Sequence, residues 1–157
     1  MSTDIQLRNV EPDDLPIFFA HQLDDEATRM AGFPSRDRAA FDAHWAKNIL
    51  GNPAAVMQTI LFAGKVAGNI GSWRHDGVRF VGYWIGKEYW GRGIATQALA
   101  RMLRIVTERP LHAHVARHNL ASVRVLEKCG FELQHEESNE LVFVLRPDAE
   151  RQGRHGT

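Results

Sequence analysis

The chain has 157 residues, enough for one domain with a sizeable core. At 44% hydrophobic and 24% charged it has the composition of an ordinary soluble globular protein, which excludes a disordered or fibrous chain. Nineteen Lys and Arg balance nineteen Asp and Glu, so bulk charge offers no support for a nucleic-acid partner.

The opening "MSTDIQLRNVEPDD" carries acids where a signal peptide needs a basic and then an apolar run. No apolar stretch approaches the roughly 20 residues of a membrane span. Cys129 is the only cysteine, which rules out an intrachain disulfide and suits a reducing compartment. The expectation is a cytoplasmic protein that does not enter a membrane.

In chain order, "IQLRNV" (5–10) alternates apolar and polar residues and predicts a first strand. Glu11 and Pro12 then open a helix to about Gln22, with Leu15, Phe18 and Phe19 on its apolar stripe. A second helical stretch near 25–30 is interrupted by "GFPS" (32–35), and 36–50 again carries apolar residues at helical spacing. Phe18, Phe33, Phe41, Trp45 and Trp73 are read mostly as core aromatics. The period then changes to strands at 55–63, 66–74 and 78–86, turning at Gly64-Lys65 and Asp76-Gly77. Residues 94–106 place Ile94, Ala98, Leu99, Met102 and Val106 on one helical face. A strand at 111–116, a helix at 119–129 stopped by Gly130, and strands near 131–137 and 141–146 complete the pattern. No repeat or linker divides it, so 1–146 is read as a single domain and 147–157 as a frayed polar tail. The order predicts an α/β fold with a mixed sheet rather than repeated βαβ units.

Between strand and helix lies "EYWGRGIATQALARML" (88–103), with Gly91 and Gly93 just where the helix begins. Glycine is most useful where backbone must bend or approach something closely. A helix start also presents free N–H groups and a partial positive charge, so the glycines fit either a plain turn or an anion cradle. The dinucleotide fingerprint G-x-G-x-x-G fails at its third glycine, where Thr96 stands, and no ribose-binding acid follows about 20 residues later. A phosphate-loop Gly-Lys-Ser/Thr is also missing.

Trp90-Gly91-Arg92-Gly93-Ile94-Ala95 resembles the Gln/Arg-x-x-Gly-x-Gly/Ala signature of the GNAT superfamily of acyl-CoA N-acyltransferases, with Trp90 in the Gln/Arg place. "GYWIGKEYWGRGIATQAL" (82–99) is similar to the ribosomal-protein N-terminal acetyltransferase (RimJ/RimL-like) branch and its small-molecule relatives. "NLASVRVLEKCGF" (119–131) resembles that branch's second signature, Asn-x-x-Ser-x-x-x-x-x-Lys-x-Gly-Phe. The likeness extends more weakly over about 4–146. It implies the GNAT fold: about seven mostly antiparallel strands flanked by helices, with a V-shaped splay between the strands near 78–86 and 111–116.

The resemblance further implies a cytoplasmic N-acetyltransferase that moves the acetyl group of acetyl-CoA directly to a primary amine, with no metal and no covalent intermediate. The backbone of Trp90, Gly91, Arg92, Gly93, Ile94, Ala95 and Thr96 would seat the pyrophosphate, with Arg92 adding charge. Tyr83, Trp84 and Ile85 would offer backbone groups to the pantetheine arm, and an N–H near Trp84 or Ile85 would stabilise the oxyanion. Asn119 would contact pantetheine, and Ser122 would donate a proton to the sulfur. Read without the family, Asn119 is a helix cap and Ser122 an ordinary first-turn serine. Phe33, Arg36 and Trp84 would border the acceptor pocket.

The general base is open. Many members of the family carry Glu where this chain has Phe80. Glu88, His75, Asp76, His114, Glu136, Glu137 or a water chain are the candidates, and an acceptor arriving already neutral would need none of them. His112 and His114 share a strand face but fall short of a zinc ligand set, and packing or surface roles are the alternative. The acceptor would be a protein N-terminus or a small amine, and the protein a monomer or homodimer. The competing reading is a non-catalytic acyl-CoA-binding or sensing module on the same fold.

Overall fold

The computed structural model describes residues 5–31, 36–46 and 53–147. Phe33 and the tail from 148 onward lie outside the described residues. Seven strands form one sheet: β1 (Ile5–Asn9), β2 (Val56–Phe62), β3 (Lys65–His75), β4 (Val78–Ile85), β5 (Leu111–Ala116), β6 (Glu132–Glu137) and β7 (Glu140–Leu145). The helices are α1 (Leu15–Gln22), α2 (Asp25–Ala31), α3 (Arg38–His44), α4 (Ile94–Ile105) and α5 (Leu120–Lys128). The sheet order is β1-β2-β3-β4-β5-β7-β6, and every pairing is antiparallel except β4 with β5. This is the predicted α/β arrangement.

The alternation read from sequence sorts the two faces. Val81 on β4, Leu111, Ala113 and Val115 on β5, and Phe143 and Leu145 on β7 are buried with Ile94, Ala98, Leu99 and Met102 of α4 and Leu126 of α5. At roughly 2 kcal/mol for each large apolar side chain removed from water, this layer dominates the fold's stabilisation. A second cluster on the other face joins Phe18 of α1 and Phe41 of α3 to Trp45, packed against Val66 and Met57. Trp73 departs from the core reading. It is 37% exposed and stacks instead on Phe80 of the neighbouring strand.

The first helical stretch is subdivided. Pro12–Asp14 form a 3-10 turn before α1, and Asp14 is buried at the junction. Its carboxylate accepts from Arg8 Nη1 and Nη2 (2.7 and 2.9 Å), Glu11 N (2.8 Å) and Thr59 Oγ1 (2.6 Å). Burial alone would raise its pKa, but these four donors and the Arg8 charge outweigh it and hold the carboxyl at about 2.

One departure from sheet regularity organises the molecule. β4 and β5 share a single rung, Phe80 opposite His112, and then part. Gly86 N donates to Ala67 O across β3 (2.8 Å), so the alternation of a strand turns the N–H and C=O groups of Ile85, Tyr83 and Val81 towards the β5 side. Gly68 permits the packing there, because a Cβ at that position would lie 2.1 Å from the Trp84 carbonyl oxygen.

Candidate active site

The gap between β4 and β5 opens towards the glycine stretch. After β4 the chain makes a 3-10 turn, Lys87–Tyr89, and Trp90 turns back so that its indole Nε1 donates to Ile85 O (2.9 Å). Gly91 and Gly93 are both left-handed, at φ 78° and 74°. A Cβ at either would meet no protein atom within 4 Å, so the strip of backbone they form is open on its outer side. Gly93 is also the residue before α4, and no side chain caps that helix. The first-turn N–H groups of α4 therefore point out unclaimed by side chains, beside two residues without Cβ atoms. This is the geometry an anionic group needs. Arg92 sits in the same strip, its guanidinium 5.7 Å from the Phe62 ring centre.

On the helical side of the gap two hydroxyls meet. Asn119 precedes α5, and its Oδ1 accepts from Ser122 N (3.2 Å), which is the cap that local reading gives it. That cap fixes the first turn of α5 and brings Ser122 Oγ within 2.6 Å of Tyr83 Oη. Tyr83 comes from β4 and Ser122 from the helix that follows β5, so the pair spans the splay. Burial pushes the Tyr83 phenol up to about 12, with the Ser122 hydrogen bond acting the other way. The phenol therefore keeps its proton at neutral pH and can pass one along to Ser122. The sequence reading used Tyr83 only for its backbone. Its side chain was accessible from the pattern, because residues 81, 83 and 85 alternate onto the helix-covered face.

The other face of the gap has an aromatic floor. Trp73 stacks on Phe80 at 6.3 Å between ring centres, and Phe80 lies 6.0 Å from the His112 ring and 5.1 Å from that of His114. His112 Nδ1 is buried and has no hydrogen-bond partner. Burial, then coulombic repulsion from His114, Arg146 and His135, pushes the His112 imidazole below its ordinary pKa, against an interaction with Gln134 that acts the other way. At the far end of this face His21 of α1 covers Gly86, where a Cβ would come 2.6 Å from its Nε2. Burial lowers the His21 pKa too, opposed by Glu88. Lys87 ties the glycine loop to α2 through Glu26 (2.8 Å) and Asp24 (3.8 Å).

The remaining sequence candidates are dispersed. Arg36 is anchored through its backbone, its N–H and C=O both bonded to the Gln22 amide, and its charge acts on His44. His75 and Asp76 pair with each other, strongly exposed, at the β3–β4 turn. Glu136 pairs with Arg117, and Glu137 with His135 at 2.8 Å. His114 faces Glu140 at 3.6 Å. Cys129 packs partly buried behind α4, its thiol donating weakly to Thr96 O, and burial raises its pKa; neither suits a nucleophile. Among the described residues no three His, Cys, Asp or Glu side chains are grouped to hold a metal. None of their helices is long and apolar enough to cross a membrane.

A sheet split after one rung, an uncapped helix behind two left-handed glycines, and a hydroxyl pair across the split together define an acyltransferase-type architecture. Residues 4–132 match the family model described as "Acetyltransferase (GNAT) domain", and the chain belongs to that family. The solved structures it resembles include the aminoglycoside acetyltransferase AAC(6')-Ib in complex with coenzyme A, at TM-score 0.80 and 17% identity over 96% of this chain and 99% of that one. The ribosomal L7/L12 alpha-N-protein acetyltransferase RimL in complex with coenzyme A matches at TM-score 0.77 and 21% identity, over 94% and 97%. Spermidine N-acetyltransferase from Vibrio cholerae, in complex with coenzyme A and spermine, matches at 0.75 and 19%, over 91% and 94%. At these identities the likeness is one of fold. No curated protein matches the chain in sequence.

Proposed function

We propose that this protein transfers the acetyl group of acetyl-CoA to a primary amine. The observation that carries the reading is the split between β4 and β5, open at the glycine strip and bridged by Tyr83 and Ser122. The donor set fits the coenzyme. Open backbone at Gly91 and Gly93 and the free N–H groups of Ile94, Ala95 and Thr96 suit a pyrophosphate, with Trp90 and Arg92 flanking it. The inward-turned backbone of Tyr83 and Ile85, with Trp84 between them, suits the amide-bearing pantetheine arm as a strand would. The side-chain amide nitrogen of Asn119, whose oxygen is committed to the cap, is assigned to the same arm.

When bound, acetyl-CoA supplies the activated thioester. The Ile85 N–H donates to the carbonyl oxygen as charge develops there. The Ser122 hydroxyl gives its proton to the departing sulfur and recovers one from Tyr83. Arg36 and Trp84 are assigned to the acceptor side. The two signatures favour the RimJ/RimL-like branch, whose acceptors are protein N-termini, while the family's small-amine enzymes keep that second class open. The reading is of a cytoplasmic monomer or homodimer without a nucleic-acid partner, consistent with a formal net charge of zero.

The test is a thiol-release assay with acetyl-CoA across N-terminal peptides, polyamines and aminoglycosides, beside calorimetry with coenzyme A. Thiol release dependent on one amine class supports the proposal and names the acceptor. Tight coenzyme binding without release for any amine would replace it with an acyl-CoA sensor.

A further inference from the structure

We propose that His112 is the general base that takes the proton of the acceptor ammonium. The inference rests on the acetyltransferase reading and adds the residue that reading leaves unassigned. Three observations carry it. His112 is the one β5 residue in register with β4, so it stands at the apex where the two strands part. Its imidazole lies beside Phe80 on the face away from α4 and α5, opposite the side on which Tyr83 and Ser122 meet. An acid and a base are thereby placed on opposite faces of one gap, which is what a transfer between two partners entering from opposite faces requires. Finally, Nδ1 of the ring is buried and has no hydrogen-bond partner among the described residues, so no protein group already engages it.

The charges around the ring fit the role. His114 on β5, His135 on β6 and Arg146 after β7 each disfavour the imidazolium, and burial does so most. Of the acids on these strands, Glu136 pairs with Arg117, Glu137 with His135, and Glu140 faces His114. On α2, Glu26 and Arg29 act at Lys87. On β4 the neighbour is Phe80, which carries no charge. Burial and these neighbours therefore hold the His112 imidazole towards its neutral form.

The step balances. One N–H bond of the ammonium breaks and its proton joins the imidazole, which later yields it to solvent. The freed nitrogen pair forms the C–N bond as the C–S bond breaks. A second proton leaves the nitrogen, matched by the one Ser122 gives the sulfur, so amide and thiol are the products.

The experiment compares wild type, His112→Asn and His112→Gln on a tripeptide amide with a free α-amine, with coenzyme A affinity and melting temperature measured for each. Both variants are expected to lose about 100-fold in kcat/KM at pH 7, the lower end of what a positioned base supplies. Coenzyme Kd should stay within about threefold. The deficit should shrink above about pH 8, where a peptide α-amine sheds its proton unaided. In the wild type, the His112 imidazole followed by NMR should titrate at the pKa of the ascending limb of kcat/KM. Wild-type rates in both variants, a deficit constant with pH, or an NMR pKa unrelated to that limb would overturn the assignment. Failure of the wild type to bind coenzyme A would instead remove the acetyltransferase reading beneath it.

Discussion

Replacing Gly93 by Ala separates the conformational cost of the glycine strip from its chemical role. At φ 74° the residue is left-handed, and a non-glycine residue there loses about 1–2 kcal/mol. No steric term adds to this, because the new Cβ meets no protein atom within 4 Å. The melting temperature should therefore fall by about 2–4 °C for each kcal/mol, as expected for a domain of this size. Gly77, at the β3–β4 turn, is the control. It has φ 77° and equally open surroundings, so Gly77→Ala should cost the same stability. The two should diverge only in binding. A methyl group laid over N–H groups that serve a phosphate forfeits a hydrogen bond to charge worth about 1.5–3 kcal/mol, a rise of roughly 10- to 150-fold in coenzyme A Kd. Calorimetry with coenzyme A, beside thermal melts of both variants, reads this directly. Equal coenzyme affinity in Gly93→Ala and Gly77→Ala would refute the cradle, whatever the melts show.

The hydroxyl pair predicts non-additive kinetics: Ser122→Ala and Tyr83→Phe should each lower kcat by about 100-fold, the double variant by little more, and coenzyme Kd by less than threefold. Multiplicative losses in the double variant would mean the two groups do not act as one relay. Asp14 predicts an acid limb of stability. Its folded pKa of about 2 lies below the ordinary 3.8, so its contribution is complete above pH 4–5 and lost as pH falls through 2. Nearly two units correspond to about 2 kcal/mol, and the unfolding free energies of wild type and Asp14→Asn from denaturant titration should differ by at least that at pH 7 and converge near pH 2. Parallel curves across that range would disprove the linkage.

Most of the fold was legible because periodicity survives wherever one face is buried. α4 displays Ile94, Ala98, Leu99 and Met102 at helical spacing, and all four are buried. The left-handed turn at 91 and 93 was legible for a related reason, since glycine adopts that backbone at the least cost. Trp73 misled because its strand face is covered by helices over β2 and β3 but left bare beside Phe80, a distinction that depends on where α1 and α3 land. The Tyr83–Ser122 contact joins positions 39 apart, and no local pattern encodes such a distance. The His112 and His114 alternation was visible, but what it faces depends on the single β4–β5 rung, which is a property of pairing and not of either strand alone.

That single rung makes the sheet two mechanical bodies, β1 to β4 and β5 to β7, whose backbone ladders touch at one point. Side chains add to that rung: the shared core under α4 and α5, the Tyr83–Ser122 hydroxyl contact, and the Phe80 ring against His112 and His114. Whatever fills the gap becomes mortar, completing a ladder the chain leaves unfinished. Amides of Tyr83 and Ile85, beyond the rung, should exchange with solvent faster than their β3-facing neighbours in the free protein, and slow together once the gap is filled. The unevenness of this sheet's rigidity is thus the form its ligand response takes.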